Sequence, residues 1–563
     1  MASTFQVQVV ATTPYSDQKP GTSGLRKRVK VFQQEHYTEN FVQSILRSVR
    51  YPDSVVPEGA TLVVGGDGRY YLQDAIQIII KIAAANKVGK LIIGQNGLLS
   101  TPAASNLIIR RKADGGILLT ASHNPGGPTK DFGIKYNCRN GGPAPEVVTN
   151  RIYEDTKTLS EYYMAEVPDV DLTKLGTQTV GAMEVEIVDP VQDYAALMRE
   201  LFDFERIQEF LRVYKDQFTV LFDAMHGVTG PYAHRIFTVE LGLPESVLMN
   251  FHPLSDFGEG HPDPNLTYAH ELVERVRQES IQFGAAFDGD GDRNMIISHD
   301  WFVNPSDSVA VIANHAARFP KFRQTGIRGV ARSMPTSGAL DLVGKALNIK
   351  HFEVPTGWKF FGNLLDNGDI DICGEESFGT GSGHIREKDG MWAALAWLNI
   401  LADMSLNAQK LITVREVVAE HFHQFGRHYY SRYDYEDVDL DAAKKMMAHL
   451  EDLTASQALV GTAVNGFHVT HMDNFSYIDP VDGSKTTNQG LRILFKDGAR
   501  VVFRLSGTGS HGATVRMYLE QYESDRAKCF QDVPQVLQPL IQTALQLSKL
   551  TEYTGRSKPT VIT

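Results

Sequence analysis

Asp288-Gly289-Asp290-Gly291-Asp292-Arg293 sets three carboxylates at every second position of a loop, with two glycines removing the Cβ atoms that oppose tight curvature. Such a loop can aim three oxygens at one hard cation. Without a cation, three clustered negative charges repel one another. An EF-hand needs Gly at its sixth position and Glu at its twelfth; Arg293 and His299 stand there, so that reading fails. Mg²⁺ fits better. It is held by a few carboxylates together with substrate phosphate, so the loop points to phosphoryl chemistry.

A second loop, Thr120 to Gly127 (TASHNPGG), follows the strand-like Ile117-Leu118-Leu119 and exposes Ser122 at a strand end. Alone, Ser122-His123 reads as an ordinary polar turn, and no GxSxG elbow accompanies it. Beside a metal loop, the serine reads as a phosphoryl carrier rather than an acyl nucleophile. Arg504 to Ser510 (RLSGTGS) combines an arginine, hydroxyls and backbone N–H groups made accessible by glycine, a cradle for a dianion. The overlapping GTGSHG matches a dinucleotide fingerprint. The following ATVRMYLE, however, alternates like a strand instead of opening a helix, and it brings Arg516 onto one face with the same anion in view. No Walker A motif occurs, which argues against a P-loop enzyme. Gly374 to Gly379 (GEESFG) offers side chains for sugar hydroxyls, although a buried turn is an equal reading. Gly21 to Arg28 (GTSGLRKR) is a small basic loop whose plainer reading is a solvated tail.

The elements that must position these loops alternate. Short apolar runs ending in glycine or small polar residues (62–69, 116–127, 219–230, 283–293, 329–338 and 370–379) are separated by stretches of helical period at 72–88, 193–214, 307–319, 337–348 and 390–404. This is the pattern of α/β domains with largely parallel sheets, whose ligands gather at strand carboxyl ends. After about residue 420 the texture becomes α+β, with a hairpin predicted between Leu491–Phe495 and Arg500–Leu505 and helices over 442–453 and 533–550. No exact internal repeat is found, and boundaries are expected near residues 192, 305 and 422.

The 563 residues imply several domains, and 42% apolar with 22% charged residues is ordinary globular usage. A net charge of −12 disfavours nucleic acid as a partner. Three separated cysteines (Cys138, Cys373, Cys529) exclude a disulfide framework and a CxxC metal site. The N-terminus lacks a secretory pattern, and the longest apolar stretch, 391–404, is short of a membrane span. The chain ends without a prenylation cysteine, and the cytosol is the expected location.

GTSGLR, TASHNPGG with FGIKYN, DGDGDR, PTGWKFFGN, GEESFG with HIREKDG, and RLSGTGS occur in the order and at the spacing seen in eukaryotic phosphoglucomutases, over essentially the whole chain. The sequence thus resembles the α-D-phosphohexomutase superfamily. The resemblance implies three similar α/β domains with mixed sheets (1–192, 193–305, 306–422) and a smaller C-terminal α+β domain (423–563) around a central cleft. It implies interconversion of α-glucose 1-phosphate and glucose 6-phosphate, through a phosphoserine at Ser122 and glucose 1,6-bisphosphate as intermediate and activator. One Mg²⁺ would be held by Asp288, Asp290 and Asp292 beside the phosphate of Ser122. Arg293 would steady phosphate oxygens. Glu375 and Ser377 would contact sugar hydroxyls, with Thr356 and Gly357 beside the sugar. Arg504, Ser506, Thr508 and Arg516 would grip the non-reacting phosphate, and Thr22, Arg26, Lys135 and Lys388 match positions lining the cleft. The general base stays open among His123, Lys135 and Lys388. Mannose or N-acetylglucosamine phosphates are alternative substrates, a silent scaffold is an alternative role, and a monomer is expected.

Overall fold

The apolar runs that end in glycine or small polar residues become the inner strands of three successive mixed sheets in the computed structural model, which describes residues 5–21, 23–48, 58–506 and 512–563. In the first sheet, β1 (Thr61–Gly66) runs parallel between Lys90–Leu98 and β2 (Gly115–Leu119), and Asp131–Cys138 returns antiparallel to β2. In the second, β3 (Val220–Asp223) lies between Leu248–Met249 and β4 (Phe283–Phe287), with Asn294–Ser298 returning beside β4. In the third, β5 (Gly329–Ser333) lies between Lys350–Val354 and β6 (Ile372–Glu375), with Gly379–Ser382 returning beside β6. The strand order repeats although the sequence does not. Every residue of β2, β4 and β5 is buried, which is why these strands read as continuous apolar runs rather than as alternation.

The apolar stretch around residues 391–404 forms α1 (Gly390–Ala408), buried on nearly all sides and capped by the Asp389 side chain, which accepts the Trp392 N–H. Its Trp392 and Trp397 belong to a continuous apolar core that reaches from Val63 in the first sheet through Phe287 in the second to Val330 in the third. Among the described residues, no helix is long and apolar enough to cross a membrane.

The segment predicted as one helix over 193–214 is two, Gln192–Leu201 and Phe204–Val213. Phe202 is extended, and Asp203 starts the second helix by accepting the Arg206 N–H. Met198, Leu201, Ile207 and Phe210 enter the same core on both sides of the break, so the apolar period runs through it. The helix predicted over 307–319 is likewise shorter: Pro305–Asn314 gives way to a 3₁₀ turn, Ala316–Arg318.

The fourth sheet is antiparallel throughout. β7 (Arg500–Ser506) pairs with Leu491–Phe495 and with β8 (Ala513–Glu523), and β8 pairs with Arg427–Val438. The predicted hairpin is present, Leu491 facing Phe503 and Leu494 facing Arg500. Helices Leu440–Ser456 and Val533–Ser548 close an apolar core with this sheet. Tyr430, Val502 and Tyr518 pack instead with Trp358, Phe361 and Ile370 near the third sheet.

Candidate active site

In each repeated sheet the chain turns from a parallel strand to its antiparallel return, and that turn holds candidate residues: 120–130 after β2, 288–293 after β4 and 376–378 after β6. The turns lock to one another. Arg293 and Gly379 form a backbone bridge, Asn294 N donates to Phe378 O (2.9 Å), and Gly390 N donates to Gly291 O (3.1 Å).

Ser122 sits at φ +54°, a left-handed conformation that a non-glycine residue keeps only where its surroundings enforce it. They do so on both sides of the residue. Its N–H donates to Thr120 Oγ1 (2.7 Å), and its carbonyl accepts from Arg69 Nη2 (2.9 Å). Thr120 Oγ1 in turn donates to Asp67 Oδ2 (2.6 Å), which also pairs with Arg69 (2.9 Å), so one buried carboxylate organises both contacts. Ser122 Oγ is thereby held 3.0 Å from Asp288 Oδ2, to which it donates, and 3.4 Å from His123 Nδ1. Gly289 is required for this approach, because a Cβ there would stand 2.7 Å from the Ser122 carbonyl oxygen.

Asp288, Asp290 and Asp292 are buried, and one carboxylate oxygen of each lies within 4.8 Å of the others. Asp290 Oδ2 accepts from Thr101 Oγ1 (2.7 Å), and Asp292 Oδ2 faces Lys388 Nζ (3.1 Å). The remaining oxygens, Asp290 Oδ1 and Asp292 Oδ1, are buried with no hydrogen-bond partner. Burial, followed by the charges of Asp290 and Asp292, pushes the Asp288 carboxyl well above the usual range. An all-oxygen donor set with orphaned oxygens and mutual repulsion could hold a metal ion.

Around this cluster lie paired cations. Arg293 N donates to Asp288 Oδ1 (2.9 Å), and Arg293 Nη1 pairs with Asp263 (3.2 Å). Lys135 Nζ and Asn137 Nδ2 both donate to Glu387 Oε1, each at 2.9 Å. Burial alone would lower the Lys388 pKa, but the charge of Asp292 raises it above the ordinary value. His123 behaves oppositely: burial, then the charges of Arg293 and Arg26, hold it well below the ordinary imidazole range and therefore neutral.

A cleft of about 720 Å³ gathers what the sequence singled out. Its lining includes Arg26, Ser122, His123, Lys135, Asp290, Asp292 and Arg293, together with Thr356, Gly357, Glu375, Ser377 and Lys388 from the third unit, and Arg504, Ser506 and Arg516 from the C-terminal sheet. Asp288 is not among the lining residues but contacts Ser122, which is. Glu375 Oε1 accepts the Gly357 N–H (3.1 Å) and so ties the 356–357 turn to the end of β6. Arg504 and Arg516 face each other across β7 and β8; Arg504 Nη1 donates to Tyr518 Oη (3.2 Å), and Arg516 Nε lies 3.6 Å from Asp434 Oδ2. Thr22 and Thr508 lie outside the described residues.

The sequence did not single out Asp67, Arg69, Thr101, Asp263 or Glu387. Each acts by holding another residue of the site, and the only signal was the strand-end loops: Asp67 and Arg69 occupy LVVGGDGR, and Glu387 precedes Lys388 in HIREKDG.

Family models describing phosphoglucomutase/phosphomannomutase alpha/beta/alpha domains I, II and III match residues 17–163, 193–301 and 304–425, and a model of the phosphoglucomutase-1 C-terminal domain matches 427–560. The chain belongs to the phosphoglucomutase/phosphomannomutase family. It is 58% identical over 561 residues to a phosphoglucomutase of Aspergillus fumigatus, covering 99% of this chain and all of that one. It is 56% identical over 584 residues to a cytoplasmic phosphoglucomutase of Populus tremula, again covering 99% of this chain and all of the relative. Among solved structures it resembles the open form of the exocytosis-sensitive phosphoprotein parafusin (phosphoglucomutase) of Paramecium, with a TM-score of 0.88 and 49% identity over 99% of each chain.

Proposed function

We infer that this chain is a phosphoglucomutase, interconverting α-D-glucose 1-phosphate and glucose 6-phosphate through a phosphoserine at Ser122. The observation that carries the reading is the convergence of three loops on one cleft: Ser122 Oγ against the aspartate cluster, Glu375 and Ser377 beyond it, and the Arg504–Arg516 pair closing it.

In the forward direction the phosphoryl group on Ser122 Oγ passes to the O6 hydroxyl of glucose 1-phosphate. The Oγ–P bond breaks, the O6–P bond forms and the O6 proton leaves to a base. Glucose 1,6-bisphosphate then turns end for end, its O1 phosphoryl group returns to Ser122, and O1 takes back a proton. Phosphoryl transfer asks chiefly for positioning and charge neutralisation, which Arg293, Lys388 and Lys135 supply from fixed ion pairs. Lys135 and Lys388 each face a carboxylate, so the proton acceptor assigned here is neutral His123. Burial first, and then the charges of Arg293 and Arg26, keep it weakly basic, and a bound dianion would offset the second of these causes.

Mg²⁺ is the cation assigned to Asp288, Asp290 and Asp292, with the phosphorylated Ser122 as a further ligand; when bound it supplies fixed positive charge beside the transferring group. Glu375 and Ser377 contact sugar hydroxyls, with Thr356 and Gly357 beside the ring. Arg504, Ser506, Thr508 and Arg516 are assigned to the phosphate that is not reacting, and Arg26 and Thr22 to substrate binding. The four-unit division at about 192, 305 and 422 gives each unit one of these loops. A cytoplasmic monomer is the assigned state. Mass spectrometry tests the reading, with one phosphate adduct expected on Ser122, together with turnover of glucose, mannose and N-acetylglucosamine 1-phosphates. An unmodified Ser122 that glucose 1,6-bisphosphate fails to phosphorylate overturns the carrier role, and faster turnover of another sugar overturns the substrate.

A further inference from the structure

β7 and β8 pair so that Arg500 faces Glu520 and, four residues along, Arg504 faces Arg516. Strand positions an even number apart share a face, so an ion pair and the anion-facing arginines lie on one side of one ladder. The ion pair does not line the cleft. It grips the turn after β5 instead. Arg500 donates from Nη1 to Met334 O (2.7 Å) and from Nη2 to both Thr336 O (2.8 Å) and Glu520 Oε2 (2.5 Å). Glu520 Oε1 accepts the Gly338 N–H (2.8 Å) and lies 2.6 Å from His428 Nδ1, while Tyr430 Oη donates to Pro335 O (2.9 Å). Four backbone groups of residues 334–338 are thus held by three side chains of the C-terminal sheet.

The other side of the same turn holds the sugar-facing loop. Glu376 N donates to Thr336 Oγ1 (2.9 Å), and Glu376 Oε2 lies 3.1 Å from Ser333 Oγ and 3.3 Å from Thr336 Oγ1. Glu376 stands between Glu375 and Ser377, so fixing it fixes both. The turn also touches the stem of Arg504 through Gly490, where a Cβ would meet Met334 Cε at 2.8 Å and Arg504 Cγ at 3.0 Å. Glu353 braces the arrangement, 3.1 Å from Arg332, 3.1 Å from Arg492 and 3.4 Å from Arg500.

We propose that Arg500 and Glu520 are positioning residues that set the spacing between the Glu375–Ser377 loop and the Arg504–Arg516 pair, acting through the 333–338 turn. The proposal rests on the mutase reading of the cleft. A sugar monophosphate must satisfy both sites at once, and a misplacement of about 1 Å can cost roughly a hundred-fold. The relay places the two sites relative to each other without touching substrate.

The test compares Arg500→Met and Thr336→Val with Arg504→Ala, singly and combined. Arg500→Met should raise KM for glucose 1-phosphate roughly ten-fold while changing kcat much less. The Arg500→Met/Arg504→Ala double variant should lose less than the product of the singles, because misplacing an absent arginine costs nothing further. Thr336→Val keeps the backbone that Arg500 grips and removes the hydroxyl that meets Glu376 N, Glu376 Oε2 and Ser333 Oγ (2.7 Å); it should show the same KM pattern, and it carries the test if Arg500→Met fails to fold. Amide exchange over residues 374–379 and 502–506 should quicken together in both variants, a readout that needs no turnover. Independent, multiplying losses, or unchanged exchange over 374–379, overturn the relay. A wild-type chain that does not turn over glucose 1-phosphate overturns the mutase reading alone, and the exchange experiment still decides the relay.

Discussion

The three repeated sheets and the C-terminal sheet meet the rest of the molecule in different ways. The first three share one apolar core in which Val63, Phe287 and Val330 belong to the same cluster and α1 is buried on almost every side. The C-terminal sheet has its own core, and it reaches the third unit through a smaller apolar cluster and through Arg500 and Arg492, which bind the Met334 carbonyl and the Glu353 carboxylate. Interior packing is close and tolerates little displacement, whereas a boundary held by side-chain to backbone hydrogen bonds keeps its spacing only while those particular partners stay engaged. Ser122 and the aspartates, proposed for phosphoryl transfer, and Glu375, proposed for sugar contact, all stand on the welded part. Arg504 and Arg516, proposed to hold the distal phosphate, stand on the docked part. On the proposed reading, the geometry of bond making rests on apolar packing, and the grip on the distal phosphate rests on directional polar contacts.

Breaking the welded side should cost most. Ser122→Ala should reduce mutase turnover to background with the fold intact, since the proposed carrier oxygen is lost with only its contacts to Asp288 and His123. Near-normal turnover by the folded variant would remove Ser122 from the mechanism. Asp290→Asn comes next. It neutralises one of three anionic oxygens and should lower Mg²⁺ affinity by more than the roughly ten- to hundred-fold that loss of an outer partner costs, which Thr101→Val should show on its own. Mg²⁺ titrations of turnover read both, and unchanged affinity in Asp290→Asn would detach the cation from this loop.

The docked side should respond by degree. Arg504→Ala should cost about 1.5–3 kcal/mol, roughly ten- to a hundred-fold in kcat/KM, while Ser122 can still be phosphorylated by glucose 1,6-bisphosphate. More bisphosphate should escape per turnover, because it is held less firmly while it reorients. An unaltered KM without added escape in single-turnover assays would place the distal phosphate elsewhere.

The same contrast explains what was legible in the sequence. Ser122, Asp288 to Asp292 and Glu375 stood out because glycines and small residues at the ends of all-buried strands mark loops that approach one another closely, as at Gly289. The repeated strand order was legible only as texture, since it lies in hydrogen-bond pairing and not in matching residues. Thr101 and Asp263 were invisible because each is an ordinary residue whose partner, Asp290 or Arg293, is far along the chain. The break at Phe202-Asp203 was hidden because both helices feed one core with a continuous apolar period. The Arg500–Glu520 grip left no motif, as a cross-strand pair looks in sequence like any two charged residues on solvent-facing strands.

The smallest expected effect is a change of shape. A dianion bound by Arg504, Ser506 and Arg516 while its sugar meets Glu375 and Ser377 touches both the docked and the welded parts. It therefore has greater affinity for an arrangement in which the two approach, and by that difference alone it shifts the population toward closure. Solution scattering should show a smaller radius of gyration with saturating glucose 1-phosphate than without it. Arg504→Ala, having lost one of the contacts that distinguish the two arrangements, should contract less at equal saturation. Exchange protection over residues 502–506 should rise with ligand in the wild-type chain, while that of β2 and β4, already inside the shared core, should not change. Equal scattering envelopes with equal protection over 502–506 would mean that the C-terminal sheet is welded as firmly as the others, and that the polar contacts at residues 334–338 are as rigid as the apolar core around α1.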